Sequence, residues 1–229
     1  MYREQFDIAV PGVFGTSYLA TVVSVDDTQK IGRVQVRLYA YDGPSDQDGP
    51  LWARVATPFA GNNRGAFMLP DVGDEVIVTC INGDPRQAVV FGSLWNGHDA
   101  PPDQLPGKAV DRWTIVGKAG TRIAIVEESA STATIKLSTP GGVTAEYTDA
   151  SGGKVEIKAA GTTITVDTQG VSVQTGGKVK VQASNVEVTA GMVKVDAGMS
   201  KFSGIVQCDT LISNSVLATT YTPGAGNVW

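Results

Sequence analysis

The chain has 229 residues, of which 42% are hydrophobic and only 18% charged, and its formal net charge is −5. That balance excludes a disordered charged tail as the main content of the chain. It also disfavours nucleic-acid binding, which draws on a basic face. No run approaches the ~18 consecutive apolar residues of a membrane-spanning helix. The opening MYREQFDIAVPG has no apolar core of the kind a secretory signal carries, so no signal peptide is expected. Two cysteines, Cys80 and Cys208, are too few for a disulfide framework. Each sits in an alternating apolar pattern and is expected to be a small buried hydrophobe.

Histidine occurs once, at His98, inside Asn96-Gly97-His98-Asp99-Ala100-Pro101-Pro102, which reads as a turn. Histidine-based metal sites and nucleophile triads therefore have almost nothing to build on. The sequence contains no phosphate-binding loop, no G-x-S-x-G, no H-E-x-x-H and no C-x-x-C. The carboxylate pairs Asp26-Asp27 and Glu127-Glu128 are adjacent, and neighbours on a strand point to opposite faces. They are expected to be turn and solvent residues. No catalytic, cofactor-binding or metal-binding residue is expected, and the chain is not expected to be an enzyme.

The chain divides by composition near residue 112. Nine of eleven prolines, seven of eight arginines (Arg112 included) and eleven of sixteen aromatics lie up to that point, and eight of ten lysines after it. Residues 1–17 read as an N-terminal arm. Residues 18–97 read as five short strands: 18–25, 34–39, 51–56, 75–81 and 88–94. Asn82-Gly83-Asp84-Pro85 marks a turn between the last two. Five strands without a helical period fit a small barrel of the OB-fold size class, a pattern that an SH3-like barrel shares. Trp52, Trp95 and Phe59 are expected in its core. Residues 98–112, with Pro101, Pro102, Pro106 and Gly107, read as a stiff linker.

From residue 113 to 205, apolar pairs recur at i, i+2. They begin with Ile123/Ile125 and Ile135/Leu137 and continue as Val155/Ile157, Ile164/Val166, Val171/Val173, Val179/Val181, Val186/Val188 and Val193/Val195. The steps from Val155 onward are 9, 7, 8, 7 and 7 residues, with glycines between most pairs. Their strand neighbours are polar, as in Lys154, Glu156 and Lys158. Each unit is thus a short strand with one apolar and one wet face. Burying two valines yields roughly 3–5 kcal/mol, less than the cost of ordering seven or eight residues at about 1–2 kcal/mol each. The apolar faces of several chains must meet. An intertwined trimeric β-helix or β-prism would bury the valines and pair the edges that such a sequence otherwise offers to aggregation. The fold class is therefore all-β, a five-stranded OB barrel followed by a trimeric needle. The twelve residues from Val155 to Val195 named above form its core. Residues 206–229 read as a tip.

Five stretches resemble the OB domain of central spike proteins: Ile31-Gly-Arg-Val-Gln-Val-Arg37, Leu51-Trp-Ala-Arg-Val-Ala56, Pro70-Asp-Val-Gly-Asp-Glu-Val76, Asn82-Gly-Asp-Pro85 and Gly92-Ser-Leu-Trp-Asn-Gly97. These spikes are the phage baseplate assembly protein V family and the corresponding part of VgrG from type VI secretion. Trp113-Thr-Ile-Val-Gly-Lys-Ala-Gly-Thr-Arg-Ile123 resembles the family's entry into the needle. Cys208-Asp-Thr-Leu-Ile212 and Tyr221-Thr-Pro-Gly-Ala-Gly-Asn-Val-Trp229 resemble the tips of contractile injection machines.

The resemblance implies a homotrimeric structural spike that docks on a separate hub protein beneath the inner tube. It pierces a target envelope when the sheath contracts and meets membrane only in transit. It carries a PAAR-type cone protein at the tip, in contact with Tyr221, Thr222, Pro223, Gly224, Gly226 and Trp229, and effector cargo is admitted as a further partner. Nucleic acid and cofactors are not implied. The family assembles in the producing cytoplasm and acts in a phage tail or an injection particle. The barrel-to-needle link leaves no room for a lysozyme domain, and the lack of any histidine after His98 excludes an H-x-H tip metal. The alternative reading is a trimeric receptor-binding fibre of a phage-like particle, which also uses β-prisms.

Overall fold

The computed structural model describes residues 17–41 and 49–220. Five strands close into a barrel: β1 (Ser17–Ser24), β2 (Arg33–Leu38), β3 (Leu51–Val55), β6 (Glu75–Cys80) and β7 (Ala88–Leu94). Their order around the barrel is β1-β2-β3-β7-β6. All neighbours are antiparallel except β3 and β7, whose parallel seam pairs Arg54 with Val89 and Val55 with Val90. The small hairpin β4 (Ala60–Gly61) and β5 (Arg64–Gly65) leaves the barrel between β3 and β6. The five strands that the alternation predicts are the five that form.

Alternation also decides what fills the barrel. The inward positions are Ala20, Val22, Val34, Val36, Leu38, Ala53, Val76, Val78, Cys80, Ala88 and Val90, all buried. The fully buried large side chains are all valines. A five-stranded barrel has a narrow interior, and short β-branched side chains fill it without strain. Register shifts at Val22/Ser24 and Ile77/Val78 supply the local bends that closure requires.

Three core expectations are corrected here. Phe59 is 61% exposed and Trp95 68% exposed. The barrel interior has no room for them beside the valines. Trp52 is half-buried and lies on the outer wall, where the Arg33 guanidinium stacks over its ring at 5.2 Å. Cys80 is buried as expected, but Cys208 is exposed. Asp27 is likewise no solvent residue. Its carboxylate accepts the backbone N–H groups of Gln29, Ile31 and Arg33 at 3.0–3.2 Å and the Arg33 guanidinium at 2.7 Å. It therefore pins the β1–β2 turn, in which Lys30 and Gly32 take positive φ. The Asn82-Gly83-Asp84-Pro85 signal yields two short 3₁₀ turns, with Asn82 at φ 53° and Gly83 at φ 70°.

Beyond the barrel, β8 (Arg112–Val116), β9 (Arg122–Val126), β10 (Thr134–Ser138), β11 (Thr144–Thr148), β12 (Lys154–Ala159), β13 (Thr162–Asp167) and β14 (Gly170–Gln174) form one antiparallel meander in chain order. The sequence reading places edge pairing between chains. For these seven strands the ladder forms within one chain, because connections of two to seven residues let successive strands fold back on each other.

Residues 179–220 belong to a separate unit. The apolar alternation runs on through Val195, yet no strand is present among the described residues after Gln174. Every described residue from Gly176 onward is exposed. A seven- or eight-residue repeat with two valines has too little apolar surface within one chain to bury its own strands. Among the described residues no helix is long and apolar enough to cross a membrane.

Candidate functional site

The register of the meander places the apolar pairs side by side. Across one row, Trp113 faces Ile125, Ile125 faces Ile135, Tyr147 faces Val155, Val155 faces Val166 and Val166 faces Val171. Ile135 and Tyr147 complete that row as partners. A second row on the same face runs through Ile115, Ile123, Leu137, Ala145, Ile157, Ile164 and Val173. Because side chains alternate along each strand, one side of a seven-stranded sheet is apolar from edge to edge. Six of the twelve core residues that the sequence predicts are brought together here: Val155, Ile157, Ile164, Val166, Val171 and Val173. Trp113, Ile115, Ala145 and Tyr147 join them. The alternation Thr144-Ala-Glu-Tyr147 was the signal for the last two, masked by the small side chain of Ala145.

The opposite side carries the polar partners. Thr114, Ala124, Lys136, Glu146, Glu156, Thr165 and Ser172 share one row. Ion pairs link this side: Lys136 to Glu146 at 3.4 Å, Lys158 to Glu156 at 2.6 Å and Lys154 to Glu156 at 3.7 Å. The Lys158 ammonium holds the Glu156 carboxyl below its ordinary range.

Exposure runs opposite to what a covered sheet shows. The named isoleucines, valines and aromatics of the apolar side are 38–73% exposed, Val155 excepted, which is half-buried. On the polar side Ala124 is buried and Glu146 and Glu156 are half-buried. A groove of 540 Å³ opens on the apolar side between Ile125, Ile135, Tyr147, Val155 and Val166. A sheet buries its apolar face against another layer, and the apolar residues of this one stay open among the described residues.

The other predicted core residues, Val179, Val181, Val186, Val188, Val193 and Val195, are exposed in the following unit. The tip residues Tyr221, Thr222, Pro223, Gly224, Gly226 and Trp229 lie outside the described residues. Arg54 is exposed on the outer wall of β3 and Arg64 on the β4–β5 hairpin. His98 lies in an exposed turn, 3.0 Å from Asp99. Among the described residues no three of His, Cys, Asp and Glu are grouped as metal ligands.

Comparison with known proteins bears on the barrel. Residues 18–95 match the family model of the type VI secretion system/phage-baseplate injector OB domain. The type VI secretion system spike protein VgrG1c of Pseudomonas aeruginosa is 34% identical over 89 residues, 38% of this chain and 12% of that protein. Spike protein VgrG5 of the same organism is 38% identical over 110 residues, 46% of this chain and 14% of its own length. The actin cross-linking toxin VgrG1 of Vibrio cholerae is 33% identical over 94 residues, 38% of this chain and 8% of the toxin. The chain thus spans only about a tenth of the length of the curated relatives it matches. Over residues 18–95 the barrel is similar to the injector OB domains of type VI secretion and phage-baseplate spikes, and that stretch is VgrG-like.

Proposed function

We propose that this protein is a structural spike of a contractile injection machine, working as a homotrimer whose sheets meet apolar side to apolar side. The observation that carries this reading is the open apolar side of the β8–β14 sheet, continuous from Trp113 to Val171. Three such sheets around one axis cover every row from Trp113 to Val171 and turn Lys136, Glu146, Glu156 and Lys158 outward to water. The relatives' names, all spike proteins or a VgrG toxin, point to the same machine.

The mechanism is mechanical. A closed prism with paired strands resists local opening, because each strand is held on both sides. Its ion-paired outer side slides through water and headgroups without an apolar patch to stick. The barrel docks on a hub protein, and its exposed Phe59, Phe67, Met68 and Trp95 supply apolar surface for that contact. Residues 179–195 continue the prism by interchain pairing, which supplies the partners that one chain lacks. Residues 221–229 receive a PAAR-type cone, and cargo rides with it. No side chain acts as a catalyst in this reading, and assembly takes place in the cytoplasm of the producing cell.

Light scattering after size exclusion tests the assembly. The reading expects about 72 kDa, three times the 23.9 kDa chain, resistant to SDS without boiling. A 24 kDa particle at all concentrations overturns it. Deleting residues 221–229 is expected to abolish capture of the cone and keep the trimer, and cone capture by the truncated chain refutes the tip assignment.

A further inference from the structure

The sequence reads residues 98–112 as a linker, and three separate contacts hold this stretch and its flanks. At the barrel, the Asn96 side-chain amide donates to the Glu75 carboxylate at 2.8 Å. Its Oδ1 accepts the backbone N–H groups of His98 and Asp99, each at 2.8 Å. At the sheet, the Arg122 guanidinium donates to both Asp103 oxygens at 2.8 and 2.6 Å, and the Thr114 hydroxyl donates to the same carboxylate. Asp111 then accepts from Arg112 Nε at 2.7 Å, Arg112 reaches Glu128 at 3.1 Å, and the Glu127 N–H donates to the Asp111 carbonyl at 2.7 Å. A third contact bypasses the linker. Lys118, in the β8–β9 turn, pairs with Asp71 in the barrel loop before β6. Asp71 is itself held, its N–H donating to Asp74 Oδ2 at 2.8 Å.

Two bodies joined by one flexible chain keep their rotational freedom, and each contact off the chain axis removes part of it. Exposed ion pairs hold weakly and are screened by salt. The Asn96–Glu75 and Lys118–Asp71 contacts are exposed, and the two pairs on the sheet side are shielded. The Arg122 and Asp103 side chains are 32% and 24% exposed, and Arg112 and Asp111 19% and 18%. Ala124, flanked on the polar side by Thr114 and Arg122, is the one buried apolar residue of the sheet among the described residues. Pro101, Pro102 and Pro106 fix φ at three positions of the same stretch.

We propose that residues 96–111 are a strut, and that Asp103, Asp111 and the Asp71–Lys118 pair lock the barrel and the β8–β14 sheet into one body that passes axial load without bending. The lock lies within one chain and does not depend on the number of chains in the assembly. Alone, the barrel would swivel on its linker and lose thrust as bending; locked, it transmits force from its base to the sheet.

The distance between spin labels at Arg37→Cys on the barrel and Gln169→Cys on the sheet tests this, in a full chain carrying Cys208→Ser. Dilution with unlabelled chain leaves one labelled copy per particle, and buried Cys80 stays unlabelled. Electron–electron resonance is expected to give one narrow distance distribution, broadened roughly twofold or more when the variant Asp71→Asn/Asp103→Asn frees the hinge motion. A broad distribution in the unmodified junction, or an unchanged width in the variant, overturns the strut. Lys118→Gln, at an exposed side chain, reads the same width if the double variant does not fold. Broadening supports the lock and no broadening refutes it.

Discussion

Ile135→Asp places a carboxylate in the middle of the open apolar row, between Ile125 and Tyr147. Ile135 is 46% exposed in the single chain. Covering that remaining half of the side chain is worth roughly 1–1.5 kcal/mol at about 25 cal/mol per Å². An unpaired carboxylate sealed at the same place costs about 3–5 kcal/mol more, the scale of a broken buried ion pair. One copy in each of three chains brings the loss to the order of 10 kcal/mol, roughly seven powers of ten in the association constant. The assay is particle mass by light scattering at several concentrations. The proposed trimer is expected to fall to 24 kDa chains that keep a folded barrel, since the core of Val34, Val36, Val76 and Val78 lies in a different element. Lys136→Gln, one residue along on the polar side, is the control and is expected to keep the trimer. An Ile135→Asp protein that stays near 72 kDa refutes the reasoning, because the row would then not be the contact.

Further outcomes follow from the barrel. Val78→Ala removes two methyl groups from a fully buried position and is expected to cost about 2 kcal/mol, read as a lower urea midpoint of Trp52 fluorescence in the full chain. A change under about 0.5 kcal/mol would mean the core is looser than its burial indicates. Gly65→Ala meets both a backbone φ of +153° and the Phe59 carbonyl oxygen, 2.9 Å from the new Cβ. It is expected to lower the same midpoint by about 1–3 kcal/mol, whereas Gly49→Ala, with no atom within 4 Å, is neutral. Equal effects of the two refute the clash. The Arg86 guanidinium and backbone N–H draw the Asp84 carboxyl down from 3.8 to about 2. A carboxylate lowered on folding stabilises the native state above its unfolded pKa and loses that contribution as pH falls through the folded value. The stability gap between the wild type and Asp84→Asn is therefore expected to be constant above pH 4 and to close as pH falls toward 2. A gap that persists at pH 2 shows that the pair is not its source.

Much of this protein is legible in its residues. Alternation at β1, β2, β6 and β7 selects both the strands and the inward valines, because a period of two admits one buried face and a slip of one residue would expose all of it. The apolar pairs from Ile123 to Val173 likewise lie on a single side for that reason. The lone histidine and missing nucleophile motifs narrow the chemistry before any fold is known. What alternation cannot supply is the third dimension. It does not tell that β3 closes on β7 in parallel, that Phe59 and Trp95 stand outside a core too narrow for them, or that Asp27 leaves solvent to hold a turn. It names valines from 179 to 195 as strand residues, but pairing needs a partner strand at about 4.8 Å, and none lies there among the described residues. The contacts of Asp103 with Arg122 and of Asp71 with Lys118 join residues 19 and 47 positions apart. No local pattern marks such pairs, since they exist only where the folded chain brings opposite charges together.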